Sequence, residues 1–126
     1  MKRLLILDDE PSITFSLSHC LKSDKVDVIS CNDSIAARKA LANQDVDAVL
    51  ADVRLSPINS WESIDFIHFL RSRSTRVPLI MMSGTEDMKK EVMDGGADFF
   101  LQKPLDIDAL ISLLQDLGLE VGQKVS

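Results

Sequence analysis

Four apolar runs in this chain end in residues able to do chemistry. Leu4-Leu5-Ile6-Leu7 runs into Asp8-Asp9, and Ala48-Val49-Leu50-Ala51 into Asp52. Leu79-Ile80-Met81-Met82 runs into Ser83-Gly84, and Phe99-Phe100-Leu101 into Gln102-Lys103-Pro104. Short continuous apolar runs bounded by turn signals read as buried strands. If the four are parallel, their C-terminal ends share one edge of one sheet, where open α/β sheets hold ligands. That edge would carry three carboxylates, a hydroxyl and an ammonium. Carboxylates crowded together do not all stay charged without a cation. Lys103 supplies one positive charge, and a hard divalent ion suits the rest. A few carboxylates with positions left for water fit Mg²⁺ better than a calcium cage. A carboxylate beside Mg²⁺ and a lysine can attack a phosphoryl group to give an aspartyl phosphate. Mg²⁺, Lys103 and the Ser83 hydroxyl would then hold its three oxygens.

Each piece alone has a plainer reading. Asp8-Asp9-Glu10-Pro11 is a good helix start, with acids at the positive end of the helix dipole. Asp52 can be a turn acid, Ser83-Gly84 a turn, and Lys103-Pro104 a loop with a solvated lysine. Their joint placement at strand ends on one edge is what points to function.

The elements that must position them follow from periodicity. A strand over Leu4–Leu7 leads to a helix from Pro11 to about Ser23, with Ile13, Leu17, Cys20 and Leu21 inward and Phe15 exposed. Val26–Cys31 alternates as a second strand, and Asn32-Asp33-Ser34 offers caps for a helix to about Ala42. The third strand is Val46–Asp52, followed by a loop from Arg54 to Ser63 and a helix to Arg73 carrying Ile64, Ile67 and Leu70, with Phe66 beside them. The fourth strand ends at Ser83. A short helix over Glu86–Asp94, with Met88 and Val92 inward, is closed by Gly95-Gly96. The fifth strand is Phe99–Gln102. Asp106 caps a last helix to about Leu117, with Ile107, Leu110, Ile111 and Leu114 inward. Alternating strands and helices predict an α/β doubly wound, five-stranded parallel sheet of flavodoxin-like order 2-1-3-4-5, with five helices on two faces. Strands one and three then bring Asp8, Asp9 and Asp52 together.

Composition sets bounds. The chain has 126 residues, enough for one core, with 45% hydrophobic and 27% charged residues. Its net charge of −6 makes it a poor ligand for DNA phosphates, so direct nucleic acid binding is not expected. No apolar run approaches the roughly 20 residues of a membrane helix, and Met1-Lys2-Arg3 precedes too short a run for a signal peptide. The expected location is cytoplasmic, with no membrane partner. Cys20 and Cys31 lack a zinc pattern and read as plain thiols. His19 and His68 are lone helix residues without partners for metal binding or phosphotransfer.

The pattern closely resembles the receiver domain of bacterial two-component response regulators. The motifs that carry it are Leu7-Asp8-Asp9-Glu10-Pro11, the strand ending in Asp52, Met82-Ser83-Gly84, Gly96-Ala97-Asp98 and Lys103-Pro104. The resemblance implies that Asp52 is the phosphoacceptor, served by a histidine kinase or phosphotransfer protein. It implies that Asp9 binds Mg²⁺ directly, Asp8 mainly through water, and that Asp52 and the Arg54 backbone carbonyl complete the protein ligands. Ser83 would turn toward the phosphoryl group, Lys103 would pair with it, and Phe100 would hold the aromatic switch position. The Lys103–Pro104 bond would be cis. A homodimer through the fourth helix, fifth strand and fifth helix is the partner expectation. The receiver would span residues 1–118, with 119–126 a tail or the start of a linker.

The loop after Asp52 departs from the family. Pro57 comes five residues after Asp52 instead of four, no Gly follows, and the loop is about three residues longer by motif alignment, with Trp61 inside it as a surface anchor. The rival readings are a haloacid-dehalogenase-like phosphatase and a phosphate-independent binding module. The first strand ends Asp8-Asp9-Glu10 without the phosphatase's Asp-x-Asp, and the intact acid set with Ser83 and Lys103 argues against the module.

Overall fold

In the computed structural model, residues 1–54, 62–74 and 76–122 are described. Elements alternate throughout: β1 (Lys2–Leu7), α1 (Pro11–Leu21), β2 (Val26–Cys31), α2 (Ser34–Asn43), β3 (Ala48–Asp52), α3 (Glu62–Arg73), β4 (Leu79–Ser83), α4 (Lys89–Gly95), β5 (Phe99–Gln102) and α5 (Ile107–Asp116). The strands are parallel and ordered β2-β1-β3-β4-β5, the expected doubly wound topology.

Strand residues point to alternate faces, and each central strand therefore feeds two cores. Leu5 and Leu7, Val49 and Ala51, and Leu79 and Met81 face the α2–α3–α4 side, against Ala37, Phe66, Ile67, Leu70 and Val92. Leu4 and Ile6, Ala48 and Leu50, and Ile80 and Met82 face the α1–α5 side, against Leu17, Leu21, Leu110 and Leu114. Burial on both faces is why these strands read as unbroken apolar runs. Among the described residues, Phe66 is the largest fully buried side chain.

Helix starts follow local chemistry. The Asp33 carboxylate accepts a hydrogen bond from the Ala36 N–H at 2.7 Å, and Asp106 accepts one from the Ala109 N–H at 3.1 Å. Pro11 opens α1 without a side-chain cap.

Four expectations shift. β3 begins at Ala48 instead of Val46, because the Asp47 carboxylate takes the Arg3 N–H at 2.8 Å, a donor that ladder pairing would otherwise use. Cys20 is exposed, and Thr14 is buried with Leu17 and Leu21 instead; Cys20 sits one residue, about 100°, from Leu21 around the helix. α4 begins at Lys89, not Glu86, since the Lys89 N–H to Glu86 carbonyl bond closes a turn and no side chain caps the helix. Residues 119–122, read above as part of a tail or the start of a linker, pack on the domain: Leu119 and Val121 are buried, and the Gly122 N–H donates to the Leu21 carbonyl. Pro57 and Trp61 lie outside the described residues.

Candidate functional site

The register Leu4↔Ala48 through Leu7↔Ala51, continued by one residue, sets Asp8 beside Asp52. β4 flanks β3 on the other side, with Asp52 opposite Met82, and β5 follows with Ser83 opposite Gln102. The Ser83 carbonyl accepts the Lys103 N–H at 2.7 Å, which aims the lysine along the edge. The Lys103 ammonium reaches back across the sheet, 2.8 Å from Asp8 Oδ2 and 3.3 Å from Asp52 Oδ2. The bond from Lys103 to Pro104 is cis.

Asp8, Asp9 and Asp52 each place a carboxylate oxygen within 4.8 Å of the others. Asp8 and Asp52 are buried, whereas Asp9 is exposed. An all-oxygen cluster, open on the Asp9 side, fits a hard divalent cation that keeps water ligands. Burial, reinforced by the Asp8 charge, pushes Asp52 up from an ordinary 3.8 to about 6, against the opposing pull of Lys103 and the Arg54 N–H. Burial alone would lower Lys103; its hydrogen bond to Asp8 and the charges of Asp52 and Asp8 outweigh that and hold it above its ordinary value. One ammonium among three carboxylates leaves the cluster short of positive charge.

Ser83 is buried at the same edge, its hydroxyl accepting the Thr85 N–H at 3.2 Å. Phe100 is half-buried against the α4-side core, with the Lys89 ammonium 5.8 Å from its ring centroid. Arg54 is exposed, and its N–H donates to Asp52 Oδ1 at 3.2 Å.

The response regulator receiver domain model matches residues 4–115. The chain belongs to this family. It is 32% identical over 118 residues to the transcriptional regulatory protein TcrA of Mycobacterium tuberculosis, covering 92% of this chain and 46% of TcrA. It is 33% identical over 115 residues to the response regulator protein PilR of Pseudomonas aeruginosa, covering 90% of this chain and 25% of PilR. The chain thus spans about half the length of TcrA, and less of PilR. Among solved structures, the beryllofluoride-activated NtrC4 receiver domain dimer is similar at a TM-score of 0.80 and 27% identity, covering 93% of this chain and 96% of that one. The receiver assignment does not favour the phosphatase or the phosphate-independent reading. Among the described residues, no helix is long and apolar enough to cross a membrane.

The structure gathers Asp8, Asp9, Asp52, Ser83 and Lys103 at one edge. It also shows supports the sequence reading missed. Asn32 Nδ2 donates to the Asp8 carbonyl and to Thr14 Oγ1, both at 2.9 Å, tying the first strand end to α1 and β2. The Ser34 hydroxyl donates to Glu62 Oε1 at 2.6 Å, joining the starts of α2 and α3. Neither pair has a sequence signal beyond a polar residue at a helix start.

Proposed function

We propose that Asp52 is the phosphoacceptor of this receiver, taking a phosphoryl group from a histidine kinase or phosphotransfer protein. The observation that carries the reading is the buried Asp52 carboxylate, held between Asp8 and a lysine. Its oxygen attacks the phosphorus of a phosphohistidine; the P–N bond breaks, an acyl phosphate P–O bond forms, and the imidazole leaves with the electron pair and takes up a proton. With an acidity near pH 6, Asp52 is ionised at neutral pH and can act as the nucleophile. Asp8, Asp9, Asp52 and the Arg54 backbone carbonyl would hold Mg²⁺, which when bound neutralises charge on the phosphoryl oxygens. Lys103 moves from Asp8 and Asp52 onto one phosphoryl oxygen, and the Ser83 hydroxyl donates to another.

Phe100, beside Lys89, is proposed to report that change to the α4–β5–α5 face. A homodimer through this face is part of the proposal; the NtrC4 receiver, a dimer in its beryllofluoride-activated form, supports dimerisation as such. The cytoplasm is the proposed location, self-phosphorylation from small donors and slow self-dephosphorylation are part of the reading, and the receiver is taken to include residues 119–122. The experiment is incubation with acetyl phosphate or beryllofluoride and Mg²⁺. The wild type should be modified or bound, and Asp52→Asn should show neither; equal labelling of that variant sinks the assignment.

A further inference from the structure

Asp8 and Asp9 are joined by one peptide unit, and its orientation decides where Asp9 sits relative to Asp8 and Asp52. Asp8 is held on every side. Its Oδ1 accepts the Glu10 N–H at 3.0 Å, its Oδ2 meets the Lys103 ammonium at 2.8 Å, and its own N–H donates to the Cys31 carbonyl at 3.1 Å. Asp9 lacks such support. It is exposed, and among the described residues no hydrogen bond or ion pair holds its carboxylate. Its approach to within 4.8 Å of Asp8 and Asp52 therefore depends on the backbone that carries it.

One side chain grips that backbone. The Asp8 carbonyl lies in the rigid plane of the Asp8–Asp9 peptide unit, and Asn32 Nδ2 donates to it at 2.9 Å. The same amide nitrogen donates to Thr14 Oγ1 at 2.9 Å, and the Thr14 hydroxyl donates to the Pro11 carbonyl at 3.1 Å. Thr14 is buried on a helix face shared with Leu17 and Leu21, where a hydroxyl needs partners. Asn32 stands just before the start of α2, yet the capping there is done by Asp33. The Asn32 amide is spent instead on β1 and α1. It is uncharged, so it fixes the peptide plane without competing for the carboxylates as Lys103 does.

We propose that Asn32 is a positioning residue for Mg²⁺: by tying the Asp8–Asp9 peptide plane to Thr14 of α1, it sets the Asp9 carboxylate where the ion requires it. The inference rests on the reading of Asp8, Asp9 and Asp52 as the Mg²⁺ site, and adds a residue that needs no contact with the ion. Without the amide the peptide plane turns more freely, and the loss falls on metal affinity. Groups that orient metal ligands typically carry about tenfold or more of it.

The test is a Mg²⁺ titration of the isotope-labelled 126-residue protein, followed at the Asp9 and Asp52 amides. Before any metal is added, Asn32→Ala should already shift the Asp9 amide, which shares the gripped plane. Its Mg²⁺ dissociation constant should rise about tenfold. Thr14→Val, which removes the second anchor of Asn32, should weaken Mg²⁺ less, and Thr14→Ser, which keeps the hydroxyl, should bind more tightly than Thr14→Val. In acetyl phosphate labelling of Asn32→Ala, the Mg²⁺ concentration for half-maximal labelling should rise by the same factor as the dissociation constant, while the rate at saturating Mg²⁺ changes far less. A residue that merely supports the fold would lower unfolding stability and leave the dissociation constant alone. An Asn32→Ala constant within about twofold of a wild type that binds Mg²⁺ and is labelled would overturn the positioning role alone. A wild type that neither binds Mg²⁺ nor is labelled would overturn the reading of the site, and the role of Asn32 with it.

Discussion

Two regions set a cation against carboxylates, with opposite outcomes. At the end of α3, Arg71 donates through Nε and Nη2 to the Gly96 carbonyl, through Nη1 to the carbonyls of Val77 and Ser74, and through Nη2 to Asp98 Oδ2 at 2.8 Å. Asp98 also accepts the Leu79 N–H at 2.8 Å. One cation meets one carboxylate there, each further anchored by backbone groups, and the cluster clamps α3 to the turns around β4 and β5. At the strand edge one ammonium faces three carboxylates, and Asp52 is left harder to ionise than an ordinary acid. The satisfied cluster stabilises the fold. The unsatisfied one stores repulsion that a bound cation can relieve.

Breaking the clamp should cost most. Arg71→Ala leaves three backbone carbonyls and part of Asp98 without this donor in a half-buried place, so denaturant unfolding should show a loss of about 3 kcal/mol. Arg71→Lys should recover little of it, because an ammonium cannot span the same fork.

Removing the charge at the edge should do the reverse. Because Asp52 rises from 3.8 to about 6 on folding, the folded state binds its proton more tightly than the unfolded chain. The favourable contribution of its neutral form is thus full below about pH 4 and is lost as pH rises through about 6. Metal-free Asp52→Asn should therefore exceed the wild type by about 2 to 3 kcal/mol above pH 7 and converge on it near pH 4, measured by paired denaturant titrations. A gain that is equal at both pH values would show that charge is not the cause.

Gly96 tests the clamp's geometry. It has φ +126, and a Cβ there would lie 3.2 Å from Arg71 Cγ and 3.3 Å from Ile67 Cγ2. Gly96→Ala should destabilise by about 2 kcal/mol in the same unfolding assay.

The smallest effect is metal rescue at the edge. At about ten times its dissociation constant, Mg²⁺ should stabilise the protein by about 1.4 kcal/mol. The thermal shift should be larger at pH 8 than at pH 5, where protons compete for Asp52, and Asp9→Ala should remove most of it. Arg71→Ala should leave the Mg²⁺ shift intact, which separates the two regions.

Much of this was legible in the chain. Buried strands on a two-sided sheet must be apolar on both faces, so Leu4–Leu7, Val49–Ala51 and Leu79–Met82 announce themselves, and the acids, hydroxyl and lysine at their ends stand out because they break the runs. Asp33 and Asp106 cap helices through contacts three residues away, which sequence spacing encodes directly. The strand order was also legible, because short crossovers of fixed hand leave few ways to lay such a sheet. What the sequence could not decide is which distant polar groups meet. Gly96-Ala97-Asp98 was visible as a motif, but its purpose depends on Arg71, 25 residues earlier than Gly96. The pairing of Lys103 with Asp8 closes a separation of 95 residues, and the apportioning of that lysine between Asp8 and Asp52 is set by sheet register and burial. Local chemistry fixed the elements and the kinds of group at their ends; only the packed sheet brought those groups within ångströms and removed the water that would otherwise have screened them, and that is what gives Asp52 its unusual acidity.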